Sequence, residues 1–187
     1  MKTGILAACI AVLLTSCASS VPVIPPRSGG NPEQVDLAGQ WELRGAAEVP
    51  VNQDKTIFIP TGRDQRVQQV RRGSRRSKGS TVHVFLTTGR HLKVTQTAYG
   101  LFFSYDRAVV QEYNFGEDRT AVVGPIEAQR VSGWDGSTFV VETMDGEGNQ
   151  LTERWSLADG GTALQRDISI DKGPRNSLSM RQVFDRR

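Results

Sequence analysis

From Asp36 to the C-terminus the chain breaks into short runs in which apolar and polar residues alternate, each closed by a turn that usually contains glycine. A period of two puts successive side chains on opposite faces of an extended strand, so each run has one apolar and one polar face. Ten runs read as strands: 40–44, 81–86, 91–97, 101–106, 109–115, 127–132, 138–144, 149–157, 162–170 and 177–185. No stretch of useful length carries a helical period. The connections are short, so neighbours in sequence should pair antiparallel. The expected fold is all-β, a single antiparallel meander barrel of about eight to ten strands, with a β-sandwich as the alternative. A chain of 187 residues, 37% hydrophobic, supports one packed core, and two His with two Cys exclude a Cys-rich zinc module.

Turn lengths set registers. A three-residue turn at Thr87-Thr88-Gly89 would pair Val84 with Leu92 and Val82 with Val94. A turn at Gly146-Glu147-Gly148 puts Phe139 opposite Trp155 and Val141 opposite Glu153. A four-residue turn at Ala158-Asp159-Gly160-Gly161 then puts Trp155 opposite Leu164, Glu153 opposite Arg166 and Leu151 opposite Ile168. A carboxylate and a guanidinium thus fall on an otherwise apolar face. One reading is a cross-strand ion pair at the edge of the core, worth about 0.2–1 kcal/mol. The other places Glu153 and Arg166 in a lumen with Trp155 and Phe139, where the charges fix the polar end of a ligand.

At the start of this region stands Gly39-Gln40-Trp41. It resembles the Gly-x-Trp entry of lipocalin-like (calycin) barrels. That resemblance implies that Trp41 plugs the closed end against a basic residue of the last strand, with Arg181 as the candidate. The stretch 133–170 is also similar to segments of uncharacterised bacterial β-barrel domains.

The first residues read as an address. Met1-Lys2 is followed by the apolar run Ile5 to Leu14, too short to span a bilayer as a helix but fitting the core of a secretory signal. Leu14-Thr15-Ser16-Cys17 resembles the lipobox of bacterial lipoproteins, which implies a signal peptide at 1–16 and a lipidated (palmitate-bearing) Cys17 as the new N-terminus. Several acyl chains give a firm anchor where one gives a marginal one. Ala18, in place of Asp, resembles outer-membrane sorting in Gram-negative lipoproteins. The segment 17–35 reads as a linker: residues 18–34 contain four Pro, three Ser and two Gly. Such a composition is semi-extended and would hold the barrel domain, 36–187, up to roughly 50 Å from the membrane.

Charge is concentrated in one place. Arg63, Arg66, Arg71, Arg72, Arg75, Arg76 and Lys78 fall in sixteen residues with a single acid, Asp64. This run occupies a long connection, 61–79, read either as a solvated loop or as a contact for phosphate or another polyanion. Nucleic acid is the ordinary partner of such a run, but the export signal argues against it. An anionic lipid or an acidic envelope protein is the expected partner, beside the membrane itself through the anchor.

Signs of catalysis are sparse. There is no Gly-x-Ser-x-Gly elbow. His83 and His91 read as surface residues rather than metal ligands, and Asp145, Glu147 and Asn149 read as a hairpin turn rather than a calcium loop. No catalytic residue, metal or cofactor is assigned. The expectation is an envelope lipoprotein facing the periplasm, anchored in the outer membrane as the sorting resemblance implies, acting as a non-catalytic binding or assembly accessory. A carrier of a small apolar ligand is the alternative, and an enzyme the third reading.

Overall fold

Ten antiparallel strands form one sheet in the computed structural model, which describes residues 23–45, 82–173 and 177–187. They are β1 (Gly39–Leu43), β2 (His91–Gln96), β3 (Gly100–Tyr105), β4 (Val109–Asn114), β5 (Glu117–Val123), β6 (Ile126–Asp135), β7 (Thr138–Asp145), β8 (Gln150–Ala158), β9 (Ala163–Asp171) and β10 (Ser177–Arg186). The order across the sheet is β4-β3-β2-β1-β10-β9-β8-β7-β6-β5. Because β1 pairs with both β2 and β10, the first and last strands meet and the sheet curls into a nearly closed barrel. A two-sheet sandwich is excluded.

The seam lies between β4 and β5, neighbours in sequence that form no ladder. Side chains bridge it instead. Ser132 Oγ donates to the Asn114 carbonyl at 2.8 Å, and Glu117 accepts from the Asn114 N–H at 3.0 Å. Such bridges partly satisfy edges that would otherwise stay open to pairing.

Alternation behaves as the period predicts. Val94 and Leu92 on β2, Leu151, Glu153 and Trp155 on β8, and Met180, Gln182 and Phe184 on β10 all point inward. The interior holds two apolar clusters. One gathers Trp41, Phe103, Tyr113, Phe139, Trp155, Leu164 and Phe184. The other gathers Val82, Phe85, Leu151, Ile168, Ile170 and Met180.

Three expectations need correction. The run 81–86 is not a strand: Val82–Phe85 is a 3-10 turn whose apolar residues enter the second cluster, so β2 pairs with β1 and β3. Its alternation was also compatible with a short apolar plug, which period alone does not distinguish. Strand β5 was missed because only Ala121 of its seven residues is buried. Finally, the linker composition does not keep residues from 23 onward off the domain. Ile24 is buried against Val131 and Met144 on the outside of β6 and β7. Gln129 grips the Ile24 backbone through its N–H (2.8 Å) and carbonyl (3.1 Å), and Arg27 Nε donates to Glu142 at 2.8 Å. The Ser28 carbonyl accepts from the Trp134 N–H, and a Cβ on Gly133 would lie 2.5 Å from that oxygen. Glycine there is what lets the strap approach.

Candidate functional site

Between the two apolar clusters runs a belt of buried polar side chains from the inward rows of several strands. On β8 it is Glu153, between Leu151 and Trp155; on β9, Arg166, between Leu164 and Ile168; on β10, Gln182, between Met180 and Phe184. Strands β6 and β7 add Arg130 and Thr143. Placement follows from the period of two: one polar residue at an inward position leaves the apolar row on either side intact.

Glu153 and Arg166 meet as expected, but along a diagonal. The β7–β8 register is as the turn length implied, with Phe139 opposite Trp155 and Val141 opposite Glu153. Across β8–β9 it is shifted by two: Trp155 faces Arg166, Glu153 faces Ile168, Leu151 faces Ile170 and Leu157 faces Leu164. The turn has four residues, as expected, but starts one residue later: Ala158 pairs with Ala163 and the chain reverses over residues 159–162, with Asp159–Gly161 forming a single 3-10 turn. A shift of two keeps every residue on its face, so the ion pair survives.

Every nitrogen of the guanidinium is engaged. Arg166 Nε and Nη2 both donate to Glu153 Oε2, at 3.0 and 2.5 Å. Its Nη1 donates to the Thr87 carbonyl at 2.8 Å and to Gln182 Oε1 at 3.1 Å. The plane lies 4.7 Å from the Trp155 ring. Burial is the largest single influence and works against the charge, but the Glu153 carboxylate and the neighbouring Tyr105 and Tyr113 together hold the guanidinium above its ordinary value. Side-chain exposure is 1% for Arg166 and 2% for Glu153.

Thr87 lies two residues past the 3-10 plug, so this contact ties the plug to β9. Two more ties hold it. Gln111 donates to the Thr87 hydroxyl and accepts from the Tyr113 hydroxyl. Arg130 lies between the rings of Phe85 and Tyr113, 5.5 and 5.6 Å from their centroids, and donates to Thr143 Oγ1 at 3.3 Å. The belt therefore binds the protein's own backbone where a ligand's polar end would otherwise sit. None of the plug's ties was legible in sequence, since Gln111 and Arg130 carry no pattern of their own.

The remaining lumen is occupied by rings. Phe139 and Trp155, read as ligand-lining candidates, are fully buried, and Phe103 lies 4.5 Å from Trp155 and 6.4 Å from Phe139 between centroids. Burial pushes the Tyr105 and Tyr113 phenols well above their ordinary values. The Tyr105 hydroxyl has no hydrogen-bond partner among the described residues.

At the barrel end, Trp41 is buried and donates from Nε1 to the Leu37 carbonyl at 3.2 Å. The basic residue over its ring is Arg186, at 4.2 Å, rather than Arg181. Even-numbered positions of β10 point inward; Arg181 faces out and pairs with Asp167 at 2.6 Å. Arg186 also donates to the Ala38 carbonyl at 3.1 Å, and a Cβ on Gly39 would come within 3.0 Å of its guanidinium. His91 lies beside Glu42 and Asp106 on the outer surface, and His83 lies in the plug. The Asp145 carboxylate caps its own turn, accepting from the N–H groups of Glu147 and Asn149 at 3.0 Å. Cys17, and Arg63, Arg66, Arg71, Arg72, Arg75, Arg76 and Lys78, lie outside the described residues.

Comparison with known proteins adds little beyond the topology. No family model and no curated protein matches the chain. A solved structure that does match is the crystal structure of a secretory abundant heat soluble (SAHS) protein from Ramazzottius varieornatus. It is 13% identical over 52% of this chain and 70% of that one, with a TM-score of 0.40. So distant a likeness carries no argument about function. The meander barrel itself is consistent with a ligand-binding or other non-catalytic role, which fold alone does not narrow.

Proposed function

We propose that this chain is a bacterial envelope lipoprotein, tethered through Cys17 and facing the periplasm, that works as a non-catalytic binding or assembly accessory through its outer surface. One observation carries the choice of surface over lumen. The buried charged groups of the lumen are already engaged: Arg166 donates to Glu153, Gln182 and the Thr87 carbonyl, and Arg130 lies against Phe85 and Tyr113 and donates to Thr143, in a space packed with aromatic rings. A carrier needs free polar groups converging on an apolar pocket. The same engagement argues against Glu153 as a general acid or base, because its oxygen is held by a permanent cation. The anchor and its outer-membrane destination rest on the first 18 residues, and an anionic partner on the basic run 63–78.

Native mass spectrometry of the full-length lipoprotein released from its membrane tests the surface reading. A mass equal to protein plus lipid supports it; a reproducible further mass of a small apolar molecule overturns it in favour of a carrier. Cys17→Ser tests the tether separately. An unprocessed, unlipidated product is expected, and normal processing with membrane fractionation intact would remove the anchor.

A further inference from the structure

The outer face of β1, β2 and β3 carries a groove of about 840 Å³ whose walls are basic. Its floor includes a row of outward side chains in register, Gln40 on β1, Lys93 on β2 and Ser104 on β3. Its rim holds Arg90, Arg107 and Arg187. The turn after β3 fixes one wall: Asp106 and Arg107 both take left-handed backbone, at φ 48° and 59°, and the Ala108 N–H closes on the Tyr105 carbonyl at 2.9 Å. That is the primed hairpin geometry that matches strand twist, so Arg107 rises from a rigid base.

Two acids stand by the groove, and both are occupied. Glu42 accepts from Arg187 and Arg90. Asp106 accepts the backbone N–H groups of Arg90 at 3.1 Å and His91 at 2.8 Å. Lys93 and Arg107 have no acidic partner among the described residues. We propose that this groove is a binding site for a phosphoryl group, carried by a soluble phosphorylated molecule or by a lipid headgroup. The row offers an amide, an ammonium and a hydroxyl side by side, with a guanidinium fork at the turn. A tetrahedral anion with three acceptor oxygens uses donors arriving from several directions, where a planar carboxylate uses one fork. The site deepens the surface-acting reading by assigning a ligand class to residues separate from the basic run 63–78.

Calorimetric titration of the detergent-solubilised full chain with pyrophosphate, with citrate as a carboxylate control, tests it. Pyrophosphate is expected to bind more tightly than citrate, and Lys93→Gln/Arg107→Gln to weaken it by about tenfold or more, one lost charge-assisted contact being worth roughly that factor. Neutralising Arg71, Arg72, Arg75 and Arg76 is expected to leave it within about threefold. Equal binding of citrate, no binding of pyrophosphate, or no effect of the groove variant in a chain with unchanged circular dichroism overturns the site. Should the groove variant misfold, shifts of the Ser104 and Ala108 amides on adding pyrophosphate to the unaltered chain decide the matter. Dihexanoyl phosphatidic acid, below its micelle concentration, separates the two sources: tighter binding than pyrophosphate assigns the lipid headgroup, weaker binding the soluble ligand. None of these results depends on the lumen, so an apolar cargo found by mass spectrometry would leave the groove standing.

Discussion

Arg166 on β9 donates to the carbonyl of Thr87, a residue 79 positions earlier, while two of its other nitrogens hold a single oxygen of Glu153. One side chain thus joins three parts of the chain: two strands and the plug that enters the barrel. Removing either partner strands the other charge in the interior. Glu153→Ala and Arg166→Met are each expected to destabilise the domain by about 3–5 kcal/mol in urea unfolding. The paired replacement Glu153→Leu/Arg166→Met should cost less than the sum. Additive costs would show that the two charges are not energetically coupled.

Arg166→Met should also loosen the plug in a way that Glu153→Ala does not. Faster amide exchange at 82–88 is expected in the arginine variant, because the bond to the Thr87 carbonyl is lost with the guanidinium. Exchange that rises equally in both variants would make the effect global.

Alkaline pH should unfold this barrel through Tyr105 and Tyr113. Both phenols are buried, and burial raises them in the fold. Below about pH 10, the value for an unfolded phenol, both states keep the proton and the stability is fully present. Above it the unfolded chain sheds protons that the fold retains, so stability falls by up to about 1.4 kcal/mol per pH unit for each phenol. Tyr105→Phe removes one of these contributions and an unpartnered hydroxyl, so it should flatten the alkaline limb and leave neutral-pH stability unchanged or raised by about 1 kcal/mol. A large loss at pH 7 would mean that this hydroxyl has a partner in solution.

The two candidate arginines of β10 should separate cleanly. Arg186→Ala removes the cation over Trp41 and its bond to the Ala38 carbonyl, and about 0.5–1 kcal/mol should be lost. Arg181 lies on the wet side of the strand, and Arg181→Ala should leave the unfolding midpoint where it was. The reverse order would place the closing residue where the sequence alone suggested.

Gly133→Ala should detach the strap without opening the barrel. The added Cβ meets the Ser28 carbonyl at 2.5 Å. Hydrogen exchange is expected to rise in the peptide 23–31 while β7 to β9 keep their protection; a general loss of protection would make the strap part of the core.

Parity made the fold readable. The β7–β8 register followed from its turn, and the two-residue error at β8–β9 left Glu153 and Arg166 inside, because only an odd shift exchanges faces. What failed was decided by tertiary contact. Val82, Phe85 and Leu86 are buried because a barrel mouth receives them, and β5 is a strand because β6 supplies a ladder to a segment with little apolar character. Arg186 and Arg181 are indistinguishable by type; only the count of residues along β10 from its inward positions tells them apart.

The strap also gives the molecule a front and a back. It leaves the barrel on the β6–β7 wall, and in the ten-strand order β2 stands five places from β7, on the opposite wall. With the lipid on Cys17, six peptide steps separate the anchor from Val23, a leash of at most about 20 Å. Under the proposed anchor, such a leash would turn the β6–β7 wall toward the bilayer and the β1–β3 groove away from it, so that a ligand settling there would come from the water, or from a surface facing the membrane across the gap.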